Sequence, residues 1–377
     1  MATIKPFSAI RPLANPLELG LIKFRLEPKG TALEHYPYAE CREFLAHLLE
    51  ADRYGYDGPA IYIYGYEPKL GRPSLGVWAL TSAEDFKIGK IVPHENTLGA
   101  VVEQIFDYRQ QVGLEGSAVL LAYPGDYALS ELINLVLSSS DARSFVYGEG
   151  VHRIWTIGRE HMIEKFQAAL AGLSSCYIAD GHHRAKAAIR LHSEIPQWVS
   201  SLFMSFDQLS FGAFHRLIDG NDVDRSALTK LISSYYFMSF IPSNRPYLPD
   251  RKGRMGMFFS GIWYQLDPRP EGDGLFELPD AKVLQDRILA PGFGIVEPER
   301  DARLRYFDND GGWNLLLGEL AKDTSLIAFT LFPMGSDELM GCADMGMALP
   351  PKSSCILPKA PFGVLMHDIV KEEKGNG

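Results

Sequence analysis

The chain has 377 residues, 46% of them hydrophobic, and a formal net charge of −10. That length suffices for two or three domains with a sizeable core, and the acidic balance argues against a nucleic-acid partner, which selects for a basic face. The amino terminus carries no apolar signal segment and no stretch is long and apolar enough to span a bilayer, so a cytoplasmic protein without a membrane partner is expected.

The opening segment holds Pro6, Pro12 and Pro16 and reads as extended. Residues 38–54 read as a helix with Phe44, Leu45, Leu48 and Leu49 on one face. Residues 60–66 and 75–81 are aromatic and β-branched strands, and the prolines between them suggest a hairpin. A helix is expected over 98–113, a strand over 118–122 and a helix over 127–137. Residues 144–147 and 152–157 flank Gly148-Glu149-Gly150, which marks a second hairpin. A helix over 161–173 leads into a strand at Cys176, and a further helix runs to about residue 191. Strands follow over 198–206 and 214–218. Asp219-Gly220-Asn221-Asp222 reads as a domain boundary. Beyond it lie a helix (225–235), strands (255–259 and 262–266), a Pro/Gly/Glu-rich loop (268–274) and a helix (281–288). A helix over 315–321, a strand over 326–332 and a proline-rich irregular stretch (343–361) complete the chain. Hairpins mixed with helices indicate an α+β fold with mixed and antiparallel sheets rather than a regular βαβ array. The expected domains are 1–218, binding a nucleotide or phosphate, and a smaller α+β unit over 219–377 whose last loop returns to the site.

The run Cys176-Tyr177-Ile178-Ala179-Asp180-Gly181-His182-His183-Arg184 carries the strongest chemical signal. It reads as a strand, a one-glycine turn and a helix start, with four polar or ionisable side chains at the corner. The first-turn N–H groups, the positive end of the helix dipole and the Arg184 guanidinium all suit a phosphate. Asp180 would repel one, unless it holds a metal ion or takes a proton from a substrate. Asp-Gly is also an ordinary capping turn, but capping does not need His-His-Arg. The four cysteines (Cys41, Cys176, Cys342, Cys355) are widely spaced and suggest neither a zinc site nor a disulfide framework.

Three other places could carry chemistry. Pro93-His94-Glu95-Asn96-Thr97 precedes a helix and offers a base, a metal ligand or a cap. On the 152–157 strand Arg153 and Trp155 share a face, where Arg153 could clamp phosphate and Trp155 could pack or stack. Residues 349–354 and 357–359 place Lys352, Lys359, Ser353 and Ser354 on a stiff backbone, which suits a phosphate tail or a solvated loop. There is no Walker A loop, no H-E-x-x-H and no dinucleotide fingerprint.

The chain resembles a bacterial and archaeal family known as domain of unknown function 1015. The resemblance is carried by Lys5-Pro6-Phe7-Ser8-Ala9-Ile10-Arg11-Pro12, Pro93-His94-Glu95-Asn96-Thr97, Gly150-Val151-His152-Arg153-Ile154-Trp155, the Asp180 run, His215-Arg216-Leu217 and Leu349-Pro350-Pro351-Lys352-Ser353-Ser354. One departure is clear: relatives carry a Pro-Tyr-Asp-Val type segment after the first motif, where this chain has Glu18-Leu19-Gly20-Leu21-Ile22-Lys23. Locally, Asp180-Gly181-His182-His183-Arg184 is similar to the phosphate-handling turn of the ParB/sulfiredoxin-like superfamily, which includes partition proteins, sulfiredoxins and kinases of free serine. That resemblance implies a ParB/sulfiredoxin-like core. It also implies that Asp180 is the acid/base group and that His182, His183 and Arg184 bind the phosphate tail.

Taken with these resemblances, the expected function is a phosphotransferase using ATP or ADP with Mg²⁺ on a small hydroxyl substrate, and the resemblance to kinases of free serine makes L-serine the favoured acceptor. Asp180, Glu95 and His94 are the candidate catalytic groups. Gly181, His182, His183, Arg184, Arg153, Lys352 and Ser353 are the candidate phosphate ligands. The alternatives are a nucleotide-binding switch without turnover and a metal-dependent hydrolase using His94, Glu95, His182 and His183. A homodimer is compatible with each.

Overall fold

The continuous apolar run Val119–Tyr123 forms a strand buried along its whole length, as a strand covered on both faces must be. The same logic governs the tyrosine-rich run Ile61–Pro68, whose Ile61 and Ile63 enter an aliphatic core while Tyr62 and Tyr64 are buried on the opposite face. The computed structural model describes residues 2–13, 19–26, 38–190, 196–221, 223–270, 278–309 and 311–371. Pro16, Glu18, Leu191, Asp222 and residues 271–274 of the expected Pro/Gly/Glu-rich loop lie outside them.

The chain divides into two units. The first comprises Met1–Pro93, Gly99–Leu209 and Pro358–Gly377, and the second His94–Leu98 and Ser210–Leu357. This division differs from a break at 219: the strand Phe214–Ile218 belongs to the second unit, and the chain's last segment returns to the first.

Strands of the first unit are β1 (Ile4–Lys5), β2 (Ile10–Pro12), β3 (Tyr54–Tyr56), β4 (Ile61–Pro68), β5 (Ser74–Ser82), β6 (Leu114–Glu115), β7 (Val119–Tyr123), β8 (Arg143–Tyr147), β9 (Gly150–Ile157), β10 (Tyr177–Asp180) and β11 (Trp198–Ser205), with the two-residue strand His367–Asp368 pairing with β6. Its helices are α1 (Leu19–Leu26), α2 (Tyr38–Glu50), α3 (Ala83–Lys87), α4 (Gly99–Gln111), α5 (Tyr127–Ser139), α6 (Glu160–Gly172) and α7 (His182–Ile189). The main sheet runs β10-β7-β11-β5-β4-β9-β8, with β1 added beside β5. Both expected hairpins form, β4–β5 and β8–β9, and β11–β7 is the parallel pair in an otherwise antiparallel sheet. Helix α5 starts where Asp126 accepts from the Leu129 N–H at 2.8 Å, and its Leu129, Ile133 and Val136 recur at helical spacing. With Phe166 and Leu170 of α6 they cover one face of the sheet. A second core gathers α1, α2, α4 and the carboxy-terminal residues Phe362 and Met366. Helix α2 stops at Glu50, short of the expected residue 54, and Asp52 takes a positive φ of 51° before β3 begins.

Strands of the second unit are β12 (Ser210–Gly212), β13 (Phe214–Ile218), β14 (Tyr236–Phe240), β15 (Met255–Phe259), β16 (Ile262–Pro268), β17 (Leu304–Asp308), β18 (Ile327–Thr330) and β19 (Cys355–Leu357). Six of them form an antiparallel sheet in the order β14-β16-β15-β18-β13-β17, and β12 pairs with β19. Helix α8 (Arg225–Tyr235) and the continuous stretch α9 (Asp280–Leu284), a π turn (Gln285–Leu289) and α10 (Ala290–Phe293) cover one face. Helix α11 (Gly312–Lys322) covers the other. The expected irregular stretch 343–361 is corrected at both ends: it overlaps α12 (Ser336–Asp344) and contains β19. The fold class is α+β, with mixed and antiparallel sheets.

Asp280, the first residue of α9, is buried and accepts N–H bonds from Gly253 (2.8 Å) and Phe332 (3.4 Å). Burial, its largest influence, pushes its carboxyl up to about 7. A folded value above the unfolded one means that the native state binds the extra proton. Stability is therefore full below about pH 4 for this group and falls as pH rises towards 7, by an amount on the order of a few kcal/mol. Urea unfolding at pH 5 and pH 7.5 should show this loss in the wild type and a flattened dependence in Asp280→Asn. Parallel pH curves for the two proteins would contradict it.

Candidate functional site

β10 is the edge strand of its sheet, and its register with β7 shifts between Ile178 and Asp180. The chain then turns at Gly181, with φ 96° and ψ 25°, directly into α7. That left-handed conformation favours glycine, and a Cβ there would meet the Arg184 guanidinium at 2.9 Å. The turn therefore lets Arg184 fold back onto the preceding strand end. Its Nη2 donates to Asp180 Oδ2 at 2.7 Å, and Lys359 Nζ lies 3.3 Å from Asp180 Oδ1. One carboxylate thus holds two cations, one on each oxygen, at a site where all three side chains are partly exposed. Helix α7 packs on α3 and α4, burying Ala185, Ala187 and Ala188. His182 is buried at its start and His183 is half-buried.

Arg153 is not brought to this corner. It lies on β9, five strand spacings from β10 in the sheet order, or roughly 24 Å at the usual interstrand distance. There it pairs with Glu67 of the adjacent strand β4. Trp155, on the same face, is buried in the aliphatic core and cannot stack on a base. The neighbouring His152 is also structural. Its Nδ1 lies 2.8 Å from the Tyr64 hydroxyl, its ring stacks on Phe145, and burial holds its imidazole below the usual range.

In the second unit His94 and Glu95 meet the 350–354 loop. Glu95 Oε2 accepts from the Ser353 N–H (2.9 Å) and the Ser354 N–H (3.3 Å), and His94 Nε2 lies 2.9 Å from Ser354 Oγ. Glu95 therefore clamps a loop through its backbone, which is a positioning arrangement. Ser353 is buried and donates its hydroxyl to Pro350 O at 2.6 Å, closing the turn. Lys352 takes a positive φ of 58° and stands over the Phe214 ring. Of the two lysines read from the sequence, the one found at Asp180 is Lys359. His215 and Arg216 on β13 are both buried. The Leu331 N–H points to His215 Nδ1 at 3.3 Å, burial pushes that imidazole down to about 4, and Arg216 donates to Phe214 O and lies over Tyr306.

Sequence reading missed a buried ionic cluster in the first unit. Glu115 on β6 accepts from Arg109, from the Ser200 N–H at 2.9 Å and lies 2.8 Å from His367 Nδ1. These residues are scattered along the chain, so no local motif announces them. Among the described residues no group of three or more His, Cys, Asp or Glu side chains is gathered to hold a metal ion, and no helix is long and apolar enough to cross a membrane.

No curated protein matches the sequence. Among solved structures, the chain is similar to a free serine kinase in complex with AMP, at 14% identity over 78% of this chain and 92% of that one, with a TM-score of 0.44. It is similar to SbnI with C-terminal truncation from Staphylococcus aureus, at 11% identity over 79% and 93%, with a TM-score of 0.44. A conserved hypothetical protein from Pyrococcus furiosus matches at 11% identity over 78% and 96%, with a TM-score of 0.42. Residues 15–289, most of the chain, match the family described as Protein of unknown function (DUF1015), and the chain belongs to that family.

Proposed function

We propose that this protein is a nucleotide-dependent phosphotransferase acting on a small hydroxyl substrate, with free L-serine the first candidate and ATP or ADP the donor. The observation that carries this reading is the Asp180 carboxylate held between Arg184 and Lys359 at a glycine turn that opens a helix. Phosphoryl transfer asks for positioning and charge neutralisation more than for covalent chemistry. Arg184 and the first turn of α7 supply the neutralisation. The acceptor oxygen forms a bond to the terminal phosphorus, the bond from phosphorus to the bridging oxygen breaks, and the nucleotide leaves one phosphoryl shorter. The hydroxyl proton passes to Asp180.

Glu95 and His94 are engaged with the 350–354 loop, so the proton transfer is assigned to Asp180 alone. Mg²⁺ keeps most of its shell as water and phosphate oxygens, so it would be held largely by the donor's phosphates, leaving the Asp180 oxygens to Arg184, Lys359 and the acceptor's proton. When bound, it would lower the charge of the phosphates. The hydrolase alternative requires a gathered ligand set, which the described residues lack.

The test is incubation of pure protein with Mg²⁺, ATP or ADP, and a pool of small hydroxyl metabolites, read by mass spectrometry. A metabolite heavier by one phosphoryl group is the expected result and names the acceptor. Nucleotide binding without a product would replace this reading with a switch.

A further inference from the structure

Lys359 sits between Pro358 and Pro361, in the segment that returns to the first unit after the second is complete. Both prolines restrict the backbone around it. The segment is tied down at many points beyond Lys359. Gly363 N–H donates to Gly116 O (2.9 Å), Met366 exchanges backbone bonds with Ile10 (2.8 and 2.9 Å), and Ile369 N–H donates to Gly113 O (3.0 Å). His367 meets Glu115, and Asp368 accepts from Arg42 and from the Tyr56 hydroxyl at 2.8 Å. The segment is therefore anchored at several points that do not involve Lys359.

The Lys359–Asp180 pair is a poor structural device. Its side chains are 44% and 28% exposed, and ion pairs at such sites contribute little to folding. Its chemistry is better suited to a ligand. Arg184 and Lys359 place two cations on one carboxylate at the mouth of a helix whose dipole also favours an anion. A polyphosphate would compete with Asp180 for both cations.

Resting on the phosphotransferase reading, we propose that Lys359 is a phosphate ligand of the Asp180 turn, held in waiting by Asp180 and transferred to the donor's phosphates when they bind. The transfer frees Asp180 Oδ1 for the acceptor's proton. Donor binding thus arms the base, and the acceptor reacts productively only after the donor is in place.

The experiment measures binding of ADP, ATP and inorganic tripolyphosphate by calorimetry to wild type, Lys359→Gln, Lys359→Arg and Lys371→Gln, with a thermal unfolding curve for each. Lys371 lies on the same segment but stacks on Tyr56, so it controls for general charge loss. Lys359→Gln should weaken the phosphate probes roughly 10- to 100-fold, the scale of a charge-assisted bond, with its unfolding midpoint moved by no more than a few degrees. Lys359→Arg should recover part of the loss, and Lys371→Gln should bind as wild type does. Wild-type affinity in Lys359→Gln overturns the inference and leaves the phosphotransferase reading intact. A loss of affinity matched by a large fall in unfolding midpoint also overturns it, because Lys359 would then be structural. Failure of the wild type to bind any of the three probes overturns both.

Discussion

Asp180→Asn is expected to lower kcat by roughly 10²- to 10⁴-fold, the usual worth of a positioned general base, without weakening donor binding. The sign of the binding effect follows from the charges. Asn keeps the size of the side chain and removes the negative charge that pairs with Arg184 and Lys359. Both cations are then less occupied, and a phosphate meets less repulsion, so ADP should bind as tightly as before or more tightly. Steady-state kinetics with calorimetry on the same preparation separates the two quantities. Unchanged turnover would remove Asp180 from the chemistry. Loss of ADP affinity in parallel with turnover would make Asp180 an organiser of the turn.

The second large effect concerns stability. Glu115→Ala should destabilise the first unit by about 3–5 kcal/mol, the scale observed when one partner of a buried ion pair is removed. Arg109 and Glu115 are nearly inaccessible to water, and Glu115 also receives the Ser200 N–H and meets His367. The truncation leaves a guanidinium buried beside a cavity and unties His367 from the returning segment. Glu115→Gln keeps the shape and can still accept hydrogen bonds, so it should lose less. Urea unfolding with the linear extrapolation measures both. A change below about 1 kcal/mol in the alanine variant would show that water or rearrangement compensates for the lost pair.

Much of the fold is legible in the sequence wherever burial and period agree. Val119–Tyr123 reads as a strand because its continuous apolar run is too short for a helix, and Leu129, Ile133 and Val136 recur at the spacing of a helix face. Elements whose signals were weak were missed. β14 follows α8 without a break, and its Tyr236–Phe240 run alternates only partly, so no strand is read there. β1, β6 and the pair His367–Asp368 are two residues long and exist only through their partners.

The candidate site divides in the same way. Asp180, Gly181 and Arg184 lie within five residues, so a strand end, a left-handed turn and the first helical turn bring them together, and local geometry determines that part from sequence alone. Arg153 carries the same charge as Arg184 and was a second candidate phosphate clamp, but sheet order placed it five strands away and matched it with Glu67. Lys359 and Lys352 sit on similar proline-stiffened stretches. Which of them reaches Asp180 depends on where the chain returns to the first unit, and that is set by Met366, His367 and Asp368 pairing with residues more than 200 positions earlier. The sequence by itself determined most of the longer elements and the local geometry of the Asp180 turn, because both follow from neighbours along the chain. Only the tertiary structure decided its cationic partner Lys359 and the buried Glu115 cluster, because non-local pairing is fixed by the packing of whole sheets and leaves no local periodicity to read.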